Sequence, residues 1–243
     1  MLRRFGYELV NARGRYFEDG IYSVHSDSFR RSPAFQAAYR RGVQASAGVD
    51  PHFEWRVHLA LWAAGNAARL PGDFVECGVN AGFISSAVMQ WLDWDRLGKC
   101  FYLVDTFAGP IPEQYSPEEI ACGRAEVAAN AIAVGAYITD IERVRRNFLS
   151  WSNVRIVRGA VPGVLPEVDA RSIAFLHLDM SCAYPERAAL EFFWDRIPKG
   201  GMVLLDDYCY AGCEAQGRAI QAAVERLGVE VLALPTGQGL IVR

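Results

Sequence analysis

Lysine is almost missing from this sequence of 243 residues, in which Lys99 and Lys199 are the only two. Arginine therefore supplies nearly all of the positive charge, and the formal net charge is −3. A chain without excess positive charge offers no electrostatic basis for binding a polyanion. We therefore expect no nucleic-acid partner.

Long apolar runs are also missing, because no stretch of about 18 uncharged apolar residues occurs. The first residues, MLRRFGYELVNARGRYF, carry charge and lack the continuous apolar core of a signal peptide. The six cysteines are scattered, and the CxxxC pair of Cys209 and Cys213 has no second pair to complete a zinc site. These absences predict a cytoplasmic protein with reduced thiols and no membrane partner.

The length and the 51% hydrophobic content suit one globular α/β domain with a helical extension. Residues 1–70 are predicted to form an N-terminal helical segment that acts as a lid, and residues 71–243 the main domain. Within the lid, residues 32–46 predict a helix with Ser32 as its cap and Pro33 at its first position. Residues 51–70 predict a longer helix.

From residue 73 onward, short β-rich runs alternate with helical stretches. Five runs are apolar throughout, as in strands buried on both faces: residues 73–79, 100–105, 154–159, 173–179 and 201–207. They predict an open parallel sheet with helices on both sides. Residues 229–235 and 238–243 are joined so closely that they must form an antiparallel hairpin. This layout resembles the Rossmann-like fold of class I methyltransferases, with strand order 3-2-1-4-5-7-6 and strand 7 reversed.

Two strand ends predict a site for a nucleoside cofactor, because ligands of open α/β sheets bind beside the carboxyl ends of strands. Gly78 and Gly82 let the chain turn tightly and approach a ligand. Asp105, at the end of the next strand, can accept hydrogen bonds from ribose hydroxyls, and Glu76 can reach the same pocket. Such an acidic wall favours S-adenosylmethionine, with its sulfonium and ammonium groups, over a pyrophosphate. A nicotinamide dinucleotide stays the alternative, although its GxGxxG fingerprint is missing.

The other strand ends predict a metal. Asp179 and Asp206 end strands that should be neighbours, about 4.8 Å apart, and Asp207 follows directly. Carboxylates this close raise one another's pKa, and a divalent cation would relieve the conflict. Oxygen ligands alone favour Mg²⁺, with Mn²⁺ or Ca²⁺ as alternatives. The alternative to metal binding is that Asp206 and Asp207 are solvated loop residues or capping residues.

Several segments together resemble the macrocin O-methyltransferases, a family of S-adenosylmethionine-dependent enzymes. They are PGDFVECGVNAGF (71–83), YLVDTFAGP (102–110), the long motif from LHLD to DDY within residues 173–208, and GC at 212–213. The resemblance covers about residues 70–243. It implies metal-dependent methyl transfer to a hydroxyl group of a small-molecule acceptor, usually a sugar or another small natural product.

The resemblance also implies roles for individual residues. It makes Asp179, Asp206 and Asp207 the metal ligands, and it places Glu76, Gly78, Gly82, Asp105, Phe107, Gly159, Ala160 and Asp179 in or near the donor pocket. Residues 110–140, a long insertion after the second strand, are expected to cover the acceptor together with the lid. A homo-oligomer is left open.

One position departs from the family pattern. The pattern LDxDxY has a second aspartate that acts as a general base, and Ser181 stands there in this chain. The catalytic set is therefore Asp179, Ser181 and Asp207, with the base left open. A metal alone could activate the hydroxyl, or one of three lid histidines could serve as the base (His25, His52 and His58). The competing hypothesis is a non-catalytic S-adenosylmethionine-binding protein that has lost methyl transfer.

Overall fold

The computed structural model of the protein describes residues 16–243, so the first 15 residues of the expected lid lie outside the described part. Seven strands form one sheet: β1 (Asp73–Cys77), β2 (Phe101–Asp105), β3 (Val154–Arg158), β4 (Ile173–Leu178), β5 (Met202–Leu205), β6 (Leu232–Ala233) and β7 (Gly239–Val242). Their order is β3-β2-β1-β4-β5-β7-β6. β7 is antiparallel to β5 and β6, whereas the other pairs are parallel. The predicted fold class and strand order are confirmed.

Eight α-helices accompany the sheet in the described part of the chain. They are α1 (Pro33–Ala45), α2 (Glu54–Ala67), α3 (Phe83–Leu92), α4 (Pro117–Ala121), α5 (Arg124–Ala133), α6 (Ile141–Phe148), α7 (Ala183–Phe193) and α8 (Glu214–Leu227). One apolar core lies between the sheet and α1, α2 and α3, and a second lies between the opposite face and α7 and α8. The sheet is thus buried on both faces, as its uniformly apolar strands predict.

The two N-terminal helices pack directly on the main domain. Ser32 caps α1 by accepting a hydrogen bond from the Phe35 amide, as predicted. α1 lies so close to α3 that a Cβ atom on Gly42 would come within 2.4 Å of the Phe83 ring. α2 begins at Glu54, three residues later than predicted. His52 has a φ of +54°, which lies outside the right-handed helical region. Whether this segment also works as a lid stays a prediction.

The C-terminal hairpin carries a side chain into the core. Its first strand has only two residues, Leu232 and Ala233, fewer than the seven-residue run predicts. The turn closes when the Leu234 amide donates to the Gln238 carbonyl over 2.9 Å. Gln238 itself is completely buried, so this turn delivers an amide side chain to the end of β5.

All six cysteines are free thiols. Among residues 16–243, no helix combines the length and the apolar character that crossing a bilayer requires.

Candidate active site

A cavity of about 210 Å³ opens beside the carboxyl ends of the first four strands. Each of these strands contributes a lining residue at or just after its end: Gly78 after β1, Asp105 in β2, Gly159 after β3 and Asp179 after β4. The insertion after β2 supplies much of the remaining wall: Gly109, Pro110, Ile111, Gln114, Tyr137 and Ile138. The cavity thus lies where an open α/β sheet binds its ligand.

Gly78 is required at its position. Its φ is +90°, and a Cβ atom built there would lie 1.8 Å from the main-chain oxygen of Asp179. Because glycine has no such atom, the chain leaving β1 can touch the chain leaving β4. The cavity wall here is therefore made of backbone.

Asp105 lines the cavity and also holds the glycine loop. Its Oδ2 accepts hydrogen bonds from the Val79 and Asn80 amides over 2.7 and 2.8 Å. Its Oδ1 accepts from the Phe107 amide over 2.7 Å. Three main-chain donors therefore occupy the carboxylate that the sequence assigns to ribose. The ribose contact stays a prediction, and shaping the loop is a role that the sequence did not reveal.

Asn80 fastens the insertion over the cavity. Its Nδ2 donates to the Ala136 carbonyl over 2.9 Å, and its Oδ1 accepts from the Ile138 amide over 2.8 Å. These bonds join the turn after β1 to residues 136–138, which form part of the cavity wall. An asparagine in a glycine-rich turn is the only local signal for this role.

Glu76 does not line the cavity. It is opposite His177 in the β1–β4 register, and its Oε1 lies 2.9 Å from the Nδ1 of that imidazole. The two side chains meet because neighbouring positions of paired strands share one face of the sheet. Both are buried. The structure therefore places the Glu76 side chain against His177, outside the cavity lining.

Three other residues of the expected donor site also lie outside the cavity lining. A Cβ atom on Gly82 would come within 2.5 Å of the Phe148 ring, so this glycine permits packing with α6. Phe107 is almost fully buried in the core between the sheet and α1, α2 and α3. Ala160 is flanked by the lining residues Gly159 and Val161 but does not itself line the cavity.

Asp206, directly after β5, is surrounded by donors. Arg56 of α2 donates to its Oδ2 through Nη1, and Gln238 donates to its Oδ1 over 2.8 Å. The Nε2 of His177 lies 3.8 Å from Oδ1, a distance that suits an ion pair and not a hydrogen bond. Burial alone would raise the pKa of Asp206, but Arg56 and His177 hold it below its ordinary value.

His177 completes a buried chain of charges. Burial favours its neutral form, but contacts with Asp206 and Glu76 outweigh burial and raise its pKa to about 10. The imidazole thus lies between two carboxylates, both of which favour its charged form. The sequence presents His177 as an ordinary core residue, and only the strand register reveals this pairing.

Asp179 and Asp207 have the raised pKa that the sequence predicts for neighbouring carboxylates. Burial, followed by the charges of Asp206 and Asp207, raises the pKa of Asp179 well above its ordinary range. Burial and Asp206 likewise raise the pKa of Asp207. Ser181, which lines the cavity, has a left-handed φ of +52° and lies with its hydroxyl 3.3 Å from Oδ2 of Asp207. The serine thus connects the cavity to the carboxylate of Asp207.

The expected metal ligands do not fit a divalent cation as they are arranged. Among the described residues, the candidate donor atoms that converge within 4.8 Å belong to His177, Asp179 and Asp206, and Asp207 is not in this set. In addition, the Arg56 guanidinium contacts both Asp206 and Asp207. Two of the three predicted ligands are therefore already paired with a cation.

The three histidines of the N-terminal segment lack the setting of a general base. His58 is stacked on Phe29 with ring centroids 4.0 Å apart, and the rings of Trp55 and Phe35 contact it from the side. Burial among these rings lowers its pKa. His25 and His52 lie on the exposed surface of the same segment.

Comparisons with known proteins agree with this geometry. Residues 60–225 match the model of the family described as Macrocin-O-methyltransferase (TylF). A protein of Streptomyces olivaceus, 8-demethyl-8-(2,3-dimethoxy-alpha-L-rhamnosyl)-tetracenomycin-C 4'-O-methyltransferase, is 27% identical over 155 residues. That match covers 60% of this chain and 57% of the relative, so the chain spans less than two thirds of that protein.

Two solved structures share the fold. The O-methyltransferase NovP superposes with a TM-score of 0.66 at 20% identity, covering 84% of this chain and 88% of its own. The calicheamicin methyltransferase CalS11 superposes with a TM-score of 0.61 at 16% identity, covering 90% and 94%. Likeness at such low identity concerns the fold alone.

Proposed function

Because this chain belongs to the macrocin O-methyltransferase family, we propose that it transfers a methyl group from S-adenosylmethionine to a hydroxyl of a sugar or another small natural product. The observation that carries the proposal is the cavity at the ends of β1 to β4. The proposal places the reaction in the cytoplasm, where the free thiols would stay reduced. A homo-oligomer stays a prediction.

The cavity wall suits the methyl donor. The backbone at Gly78 leaves room that a Cβ atom would fill, and the carboxylates of Asp105 and Asp179 suit a ligand with two positive groups. When bound there, S-adenosylmethionine supplies an electrophilic methyl group. The residues of the insertion, fastened by Asn80, exclude water from the reacting groups.

The acceptor is proposed from the relative. The Streptomyces olivaceus protein is named for a sugar hydroxyl, the 4' position of a rhamnosyl group. In this chain, Ser181 and Cys182 line the cavity after β4, beside Tyr137 and Gln114 of the insertion. We place the acceptor hydroxyl next to Ser181, where these side chains can orient it for in-line displacement.

The proton of the acceptor hydroxyl needs a base, and Asp207 provides one through Ser181. As the new carbon–oxygen bond forms, the acceptor gives its proton to the Ser181 oxygen. Ser181 passes its own proton to Asp207, 3.3 Å away. Asp207 ends protonated, which burial and the adjacent Asp206 charge favour. The step leaves a methyl ether and the demethylated donor, and none of it is routed through a metal.

Incubation with isotopically labelled S-adenosylmethionine and a panel of glycosides and sugar nucleotides tests the proposal. Mass spectrometry should find the label in an O-methyl ether of at least one acceptor. Asp207→Asn should abolish that product while the affinity for S-adenosylhomocysteine stays within about twofold, because Asp207 does not line the cavity.

Two results would count against the proposal in different ways. Tight binding of S-adenosylhomocysteine without turnover of any acceptor would favour the competing hypothesis of a non-catalytic binding protein. That hypothesis is based on Ser181, which stands where the family pattern has an aspartate. Binding of a nicotinamide dinucleotide, with none of S-adenosylhomocysteine, would remove methyl transfer altogether.

A further inference from the structure

Arg56 lies among the carboxylates at which the sequence predicts a divalent cation. It is the third residue of α2, and its side chain is only 9% exposed. Its Nη1 donates to Asp206 and lies 3.7 Å from Oδ1 of Asp207. A guanidinium keeps its charge at every pH that the protein meets. The cluster therefore contains a permanent cation from its own chain.

Contacts on several sides fix this guanidinium. Nε donates to Oδ2 of Asp19 over 2.9 Å, and Nη1 also donates to the main-chain carbonyl of Asp206 over 3.3 Å. The ring of Tyr210 lies against the guanidinium, 4.5 Å from its carbon, in a cation–π contact. Moving Arg56 out of the cluster would break all of these contacts together.

The second oxygen of Asp206 also has a donor. Gln238 donates to Oδ1 over 2.8 Å, and its own carbonyl accepts from the Thr236 hydroxyl over 3.0 Å. That second bond fixes which end of the amide faces Asp206. Mg²⁺ needs oxygen ligands at 2.0–2.1 Å in near-octahedral geometry. It could use Asp206 only after displacing a cation and a buried amide.

We propose that Arg56 takes the place of a divalent metal in this protein, so that the guanidinium supplies the positive charge of the carboxylate cluster. Asp206 is then a partner of Arg56, His177 and Gln238, and not a metal ligand. The inference deepens the proposed function: it rests on methyl transfer at this site and makes that transfer independent of added metal.

Arg56 does not line the cavity, so it is a positioning residue. It connects Asp19 of the N-terminal segment to the Asp206–Asp207 turn beside the cavity. Its closest contact is with Asp206, which leaves Oδ2 of Asp207 to the Ser181 hydroxyl.

Titration with Mn²⁺, followed by electron paramagnetic resonance of the free ion, tests the inference on the full chain. The wild type is expected to leave Mn²⁺ free at millimolar concentration. Arg56→Gln uncovers Asp206, Asp207 and Asp19, and is expected to bind Mn²⁺ at least about tenfold more tightly and to melt at a higher temperature when Mn²⁺ is present. Arg30→Gln is the matched control, because Arg30 also pairs with two carboxylates, Asp27 and Glu54, and it should gain no site.

One Mn²⁺ bound tightly by each wild-type chain, and lost in Asp206→Asn, would overturn the inference. A folded Arg56→Gln that gains no Mn²⁺ affinity would overturn it as well. If Arg56→Gln does not fold, the wild-type titration decides alone. Calorimetry with S-adenosylhomocysteine on the same samples distinguishes failure of this inference from failure of the proposed function. A wild type that binds neither Mn²⁺ nor S-adenosylhomocysteine would refute the proposed function, whereas the absence of a metal site would still hold.

Discussion

Replacing Gly78 by alanine should damage both the fold and the donor site. The added Cβ atom would lie 1.8 Å from the Asp179 carbonyl oxygen and 2.4 Å from its carbon. Ordinary contact requires more than 3 Å, so the ends of β1 and β4 must separate by over an ångström. The φ of +90° adds strain, because side chains avoid the left-handed region.

The two effects set the expected magnitude. Left-handed backbone costs about 1–2 kcal/mol outside glycine, and overpacking costs about 1–3 kcal/mol. The free energy of unfolding should therefore fall by about 2–5 kcal/mol in urea denaturation. The Kd for S-adenosylhomocysteine should rise at least about tenfold, since the displaced atoms form the cavity wall.

Gly65→Ala provides the control for this substitution. Gly65 lies inside α2, and the nearest atom to an added Cβ is Trp91 Nε1 at 3.8 Å. Alanine there should stabilise the protein by about 0.5–1 kcal/mol and leave donor affinity unchanged. A Gly78→Ala protein as stable as the wild type, with the same donor affinity, would refute the close approach of β1 and β4.

Three further predictions concern single side chains. Asp105→Ala should lower the free energy of unfolding by about 2–4 kcal/mol, because three main-chain amides lose their acceptor. Unchanged stability together with weaker donor binding would contradict this role and would favour a carboxylate that binds only the ribose of the donor. Ser181→Ala should lower kcat at least about tenfold without changing donor affinity, and an unchanged kcat would exclude the proton relay. Burial, with a smaller contribution from Asp207, raises the pKa of Glu186 from 4.5 to about 8. The folded protein therefore holds a proton that the unfolded chain releases between these values, and stability should fall by about 1.4 kcal/mol per pH unit there. Glu186→Gln should remove this loss between pH 5 and pH 9 in urea denaturation, whereas the exposed Glu191→Gln should keep it; equal pH dependence in both variants would contradict the buried acid.

The fold could be predicted from the sequence because its signals are local. Uniformly apolar runs indicate strands buried on both faces, and the close spacing of the last two runs requires a hairpin. The cap at Ser32 is equally local, since it involves residues three positions apart. The extent of β6 could not be predicted in this way, because pairing with β7 and not propensity determines where that strand ends.

The candidate site could be predicted only in part. Acids at strand ends do gather at one edge, where Asp105 and Asp179 line the cavity. The partners of these acids are distant in sequence, and Arg56 and Asp206 are 150 positions apart. Nothing near Arg56 marks it as different from other helix arginines. Glu76 looks like a ligand residue because it precedes a glycine turn, yet the β1–β4 register pairs it with His177.

The central claim is that the methyl donor binds in the cavity beside the strand ends. It is tested most directly by calorimetric titration with S-adenosylhomocysteine, in the presence of a chelator, when a residue of the cavity wall is replaced by a larger one. Ile111 lines the cavity, whereas Ile120 is a half-exposed isoleucine of α4 in the same insertion and does not line it. The account predicts binding by the wild type and by Ile120→Trp, and no binding by a folded Ile111→Trp. Equal affinity in all three proteins, or no binding by the wild type, would contradict it.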